Sequence, residues 1–354
     1  MHTFLNRGAT LALLLMASAC QEHPTPLDPP PADGSVSRAD GRDPSDLITT
    51  DRPVATRDGG PPKPLDGATP PPDSKGPGLD AAAMHPALYP TTRTHSPLSS
   101  SVVQRLKYIA KAGPTLKPRV FAKVGNSITV SKSFLHCFAS AGFNLGANGS
   151  LASTIQHFNP TLSGSTTPFN RTSLAAVVGW SAWSAITGTP SPLAKELAAI
   201  SPRFAVVMFG TNDIQGKNIR GYADNMLDLV DQLLKAGVVP LMSTIPPRLD
   251  ATWANLEVPL YNAVVRGIAQ GRQVPLMDLH RELSVLPGKG MAGDGIHLNA
   301  LWTSGGKGAC DVGTKGLTYG YNTRNLLALQ SLSRVKAALL DGKAAPDPPG
   351  PALK

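Results

Sequence analysis

Six apolar residues in a row, Phe204-Ala205-Val206-Val207-Met208-Phe209, constrain the fold more than any other feature of this chain. A strand of that kind is apolar on both sides, so both faces of its sheet need cover. Shorter apolar runs at 119–124, 238–242 and 274–277 read as further strands, and 143–145 as a weaker one. Helical patterns lie between them, at 101–112, 131–141 (closed by Gly142), 192–200, 221–236, 255–269 and 324–340. In the fourth of these, Met226, Leu229, Val230, Leu233 and Leu234 recur on one side, as an amphipathic helix requires. Strands alternating with helices predict a parallel α/β sheet. In such sheets, sites lie beyond the carboxyl ends of the strands.

This pattern occupies residues 99–340, enough for one domain with a sizeable core. The flanks differ in kind. Residues 1–20 read as a secretory signal, with Arg7 before an apolar stretch from Ala9 to Met16 that is too short to span a bilayer. The stretch ends in Ala17-Ser18-Ala19-Cys20, which resembles a bacterial lipobox with alanine where leucine is usual. The resemblance implies cleavage before Cys20 and lipid on that residue; an ordinary signal peptide cut near Ala19 is the alternative. Gln21 in place of aspartate favours the outer membrane or cell surface over inner-membrane retention. Residues 21–98 hold about half of the 34 prolines, with Pro30-Pro31, Pro61-Pro62 and Pro70-Pro71-Pro72, and read as a disordered tether. Residues 341–354 read as a frayed tail.

Charge divides along the same boundary. The tether has 7 Lys/Arg against 11 Asp/Glu, whereas everything beyond it has 25 against 13, a net of +12. A basic domain in the envelope suits anionic glycans or lipid head groups, though scattered surface charge explains the balance as well. No basic run with interleaved aromatics points to nucleic acid. With Cys20 set aside, Cys137 and Cys310 remain: one disulfide in an oxidising compartment, or two buried thiols. Nothing in the sequence specifies oligomeric state.

Three short blocks carry the chemistry: Gly125-Asn126-Ser127-Ile128-Thr129, Gly210-Thr211-Asn212-Asp213 and Asp294-Gly295-Ile296-His297. Ser127 follows a strand and precedes a helix, a turn that exposes a hydroxyl; capping the helix is its alternative role. Asn212 follows the strongest strand, where its amide is available as an oxyanion donor or as a turn residue. Asp294 and His297 share a glycine-rich loop, so the carboxylate can orient the imidazole and leave Nε2 to take a proton. A surface histidine is the bland reading. His136, His157 and His280 lack such a carboxylate, and no ligand cluster accompanies Asp294 and His297 as a metal site would need.

Jointly the blocks resemble the GDSL-like SGNH hydrolase family over residues 119–299. A further block, Asn144-Leu145-Gly146-Ala147-Asn148-Gly149-Ser150, fills the second position, with Gly149 as an oxyanion amide and Gly146 as its competitor. The family usually has aspartate where this chain has Asn126. The resemblance implies a three-layer α/β/α, flavodoxin-like fold with a five-stranded parallel sheet, and a serine hydrolase needing no metal or cofactor. In that reading His297, backed by Asp294, activates Ser127, and Gly149 and Asn212 help hold the oxyanion.

The expected activity is hydrolysis of carboxylic esters through an acyl-enzyme on Ser127. The expected substrate carries a small acyl group such as acetate, on a glycan or other envelope molecule. The same parts also suit an acyltransferase, or a catalytically silent glycan-binding surface lipoprotein. The aromatics between the second and third blocks, Trp180 and Trp183 among them, fit either a cleft wall or the core.

Overall fold

The computed structural model describes residues 86–348 apart from Lys307. The expected signal segment, the expected lipidation site Cys20 and most of the expected Pro-rich tether lie outside the described residues.

The elements follow in the order α1 (Ser100–Lys111), β1 (Lys117–Gly125), α2 (Ser127–Val130), α3 (Ala152–His157), α4 (Ala182–Ile186), α5 (Pro192–Ile200), β2 (Pro202–Met208), α6 (Ile219–Lys235), β3 (Val239–Ser243), α7 (Thr252–Arg272), β4 (Leu276–Met277), α8 (Leu279–Ser284) and α9 (Gly320–Leu339). The four strands form one parallel sheet in the order β1-β2-β3-β4. Helices α1 and α9 pack together on one face; α4, α5, α6 and α7 form the other layer. Every residue of β2 and β3 is buried, Arg203 and Ser243 included, as strands that are mostly apolar on both faces demand.

The fold expected from sequence is present, with one strand fewer. The fifth position, beside β1, is reduced to a single parallel bridge between Gly125 and Ala176. Gly125 N–H donates to the Ala175 carbonyl at 3.1 Å, and Val177 N–H donates to the Gly125 carbonyl at 3.3 Å. The segment 143–145 takes no part in the sheet. Asn144 bridges Asp311 instead, in a loop-to-loop contact.

The expected helix at 131–141 does not form. Leu135 adopts a left-handed backbone with φ 62°, which no continuous helix tolerates. Asn325 of α9 accepts the Leu135 N–H and donates to the Ser133 carbonyl, so tertiary bonds replace helical ones. A turn of helix at His136–Ala139 follows, pinned by a disulfide between Cys137 and Cys310.

The domain also begins earlier and ends later than composition implies. Ala87 and Tyr89 are buried, and their N–H groups donate to the side chains of Gln273 and Gln270. Residues 94–96 run antiparallel against β4, with Ser96 N–H on the Leu276 carbonyl at 2.8 Å and Asp278 N–H on that of Thr94 at 2.7 Å. At the other end, Asp347 pairs with Arg93 and Arg334 and accepts the Leu98 N–H. Prolines thus mark the approach to the domain without excluding its first residues from the core.

Candidate active site

β1 and β2 run in register from Phe121 opposite Phe204 to Gly125 opposite Met208. Their carboxyl ends therefore finish level, and the turns beyond them, carrying Ser127 and Asn212, share one edge. Gly125 is required for closeness here: a β-carbon would come within 2.3 Å of Thr129 Oγ1 and 2.7 Å of the Met208 carbonyl.

Asn126, not Ser127, caps the short helix α2: its Oδ1 accepts the Ile128 N–H at 3.3 Å. The Ser127 hydroxyl is free for other work, and its Oγ lies 2.9 Å from His297 Nε2. The far ring nitrogen, Nδ1, is 2.6 Å from Asp294 Oδ2, while Asp294 Oδ1 accepts the N–H groups of Ile296 and His297 at 3.0 and 2.9 Å. These bonds hold the Asp294 carboxyl down at about 2, the His297 side chain contributing most. The carboxylate is thus ionised at neutral pH and fixes the ring with Nε2 toward the serine.

Two buried arginines support this geometry. Arg324 reaches from α9 under α2, donating to the Ile128 carbonyl at 2.7 Å and Thr129 Oγ1 at 2.9 Å, with its guanidinium stacked on Phe134. Burial lowers it to about 9. Arg248 grips both oxygens of Asp250 at 2.7 Å and donates to the Thr211 carbonyl. The adjacent Leu249 N–H donates to Gly295 at 2.8 Å. Arg248 therefore connects the Asn212 turn to the loop carrying Asp294 and His297. Sequence reading missed its role, because a lone arginine in a loop carries no local signal.

Gly149 does not join this group. It lies in a turn of helix at Gly146–Leu151, a stretch tied to the loop near Cys310 through Asn148 Nδ2 and the Val312 carbonyl at 3.2 Å. Gly146, the competitor, packs on Gly313. The segment 143–145 is not the strand beside β1, so Gly149 does not follow the strand that pairs with the nucleophile's strand. The neighbour of β1 is 175–177, and the glycine that follows it is Gly179.

Gly179 occupies the corresponding place. It follows Val177 as Ser127 follows Gly125, and its φ of 81° puts it in a left-handed turn facing open space. The next residue, Trp180, offers its carbonyl to Asn212 Nδ2 at 2.9 Å. That bond uses one of the two amide hydrogens and leaves the other. Asp213, half-buried and raised chiefly by desolvation, accepts the Ala182 N–H on one oxygen and the Gly210 N–H on the other, each at 2.9 Å. Among the described residues, no hydrogen bond from the backbone N–H groups of Ser127 and Gly179 to another backbone group is seen. No local signal in the sequence marks Gly179, because the pairing of 175–177 with Gly125 joins segments about fifty residues apart.

The profile of the GDSL-like lipase/acylhydrolase family matches residues 124–301, half of the chain, and spans the serine, Gly179, Asn212 and the Asp294/His297 loop. The chain belongs to the GDSL-like lipase/acylhydrolase family. As an acylhydrolase it is a carboxylic ester hydrolase. No curated protein matches it. Among solved structures, a catalytic mutant of an acetylxylan esterase from Geobacillus stearothermophilus is similar at 14% identity, covering 60% of this chain and 93% of that one, with a TM-score of 0.40. A GDSL-like lipase from Bacteroides thetaiotaomicron is similar at 14% identity, over 66% and 98% of the two chains, with a TM-score of 0.36. A lipase/acylhydrolase from Enterococcus faecalis stands at 15% identity, 60% and 95%, and 0.39. Among the described residues of this GDSL-like hydrolase, no group of three or more His, Cys, Asp or Glu is arranged to hold a metal ion.

Proposed function

We propose that the protein removes a small acyl group, such as acetate, from an acylated glycan through an acyl-enzyme on Ser127. The observation that carries the reading is the 2.9 Å approach of His297 Nε2 to Ser127 Oγ, backed by Asp294 at 2.6 Å. His297 takes the hydroxyl proton as Oγ attacks the ester carbonyl carbon. The developing oxyanion accepts from the N–H groups of Ser127 and Gly179 and from Asn212 Nδ2. The imidazolium then protonates the departing alkoxide. Water, deprotonated by the same ring, attacks the acyl-enzyme carbonyl, and the imidazolium returns that proton to Ser127 Oγ as the acid departs.

Exposure supports a small acyl group on a large soluble carrier. The side chains of His297 and Asp294 are 39% and 48% exposed. Trp183, in the helix that begins at Ala182, and Trp302, five residues after His297, also face solvent. Indole faces suit the C–H faces of sugar rings. The test is acetate release from acetylated oligosaccharides, beside release from long-chain esters. A clear preference for the long chains overturns the glycan reading. Unchanged product with and without a sugar acceptor separates hydrolysis from acyl transfer.

The same proposal sets the enzyme on the envelope, with Cys20 lipidated and the Pro-rich segment as tether, in the outer membrane or at the cell surface. Labelled palmitate incorporated by the wild type and lost in Cys20→Ser supports this arrangement. Equal labelling of both removes it.

A further inference from the structure

We propose that the partly open cavity walled by Lys123, Lys132, His136 and Arg171 is a binding site for a small oxyanion, a phosphate or carboxylate group. The cavity measures about 150 Å³, room for about five waters at ~30 Å³ each. Thr129 and Val130 of α2 also line it, as does Ala176, the bridge partner of Gly125. It therefore adjoins the turn that carries the nucleophile, and it is independent of ester chemistry.

Lys123 anchors the site. It sits on β1, 7% exposed, where a strand facing the core would ordinarily hold an apolar residue. Its Nζ donates to the Phe169 carbonyl at 2.9 Å. An ammonium has three hydrogens, so two remain. The carboxylate acting on it most strongly, Glu196, is already committed. Arg171 takes both its oxygens at 3.0 Å, and the Leu174 N–H takes one of them at 2.9 Å. Among the described residues, no ion pair involves Lys123, Lys132 or His136.

A buried ammonium with no direct ion pair of its own is costly to hold. The surroundings add to that cost. Burial, with Arg324 and Arg171 nearby, lowers Lys123 to about 8 against the opposing pull of Glu196. His136 is pushed down by burial and then by Lys123 and Lys132. Three segments thus bring positive charge to one partly open cavity with a single carboxylate between them, already bonded to Arg171. An entering oxyanion meets donors from Lys123 and Lys132 and offsets that repulsion.

Two sources carry this chemistry: free inorganic phosphate, and an acidic group on a polymer, such as a uronate. Calorimetric titration of the full-length chain with inorganic phosphate and with glucuronate, at constant ionic strength set by chloride, tests the site. One saturable event per chain is expected, with Kd below ~10 mM for at least one anion. It should weaken by about tenfold or more in Lys132→Ala and in Lys123→Met. Lys132 is exposed, so its variant reads the site even if Lys123→Met fails to fold. Tighter phosphate points to the free ion and tighter glucuronate to a polymer, and both support the site. No saturable heat with either anion, or affinity unchanged in Lys132→Ala, overturns it.

Discussion

Asn212 donates through Nδ2 to the carbonyl of Trp180 at 2.9 Å, which bonds the turn after β2 to the segment that presents Gly179. The two loops proposed to supply oxyanion donors are therefore one connected unit, and Asp213 closes the connection a second time through Ala182 and Gly210. Removing the amide in Asn212→Ala takes away a donor and this tie together. Turnover of p-nitrophenyl acetate should fall ~10²–10³-fold, mainly in kcat. A fall confined to KM would show that Asn212 binds substrate without contacting the oxyanion.

Gly179 and Gly149 make opposite predictions. An alanine at 179 must hold a β-carbon in a left-handed turn at a cost of roughly 1–2 kcal/mol, and relief of that strain turns the N–H away from Ser127. The kcat of Gly179→Ala should drop by about tenfold or more. Gly149 has open space and an ordinary backbone, so Gly149→Ala should remain within about twofold of wild type. Steady-state kinetics of the two variants side by side decide which glycine serves the site.

How far sequence could reach depends on the range of the signal. Strands β2 and β3 and helices α5 and α6 were legible because their apolar spacing is set by local geometry. Ser127, Asn212, Asp294 and His297 were legible because each block keeps its chemistry within a few residues. Gly179 was not, since the choice of strand beside β1 is a pairing across more than fifty residues. The helix expected at 131–141 failed for a similar reason: Asn325 and Cys310, both distant in the chain, dictate the backbone of Ser133–Cys137. Arg248 and Arg324 were hidden too, because a buried arginine is defined by the carbonyls it reaches.

Acid should loosen the N-terminal flank of the domain. The His95 ring lies 2.9 Å from Gln330 Oε1 and 3.2 Å from Ser331 Oγ, and burial lowers it to about 4 against the opposing bond to Gln330. An unfolded histidine titrates near 6.5. Between those values the unfolded chain holds a proton that the native ring refuses, so stability is intact above about 6.5 and declines toward 4. Urea midpoints at both ends of this window should show a loss on the order of 1 kcal/mol that His95→Gln lacks. Equal losses in both proteins would assign the acid sensitivity elsewhere.

The Cys137–Cys310 bridge closes a loop of 173 residues, joining the chain just after the nucleophile to the chain just before α9. Breaking it with reductant, or in Cys137→Ser, should cost ~2–5 kcal/mol in denaturant unfolding. The wild type without reductant is the reference, and matching midpoints would show that the bridge contributes nothing to stability.

Ser127 Oγ is the atom expected to carry the acyl group, and acyl-enzyme trapping reads that atom directly. The protein is quenched in acid during turnover of p-nitrophenyl acetate and its peptides are mapped by mass. Acetyl should appear on the peptide containing Ser127 in the wild type and be absent from Ser127→Ala and His297→Ala. Turnover in both variants should fall by ~10³-fold or more. Wild-type rates in Ser127→Ala, or acetyl mapped to a different residue, would contradict a serine nucleophile at this position.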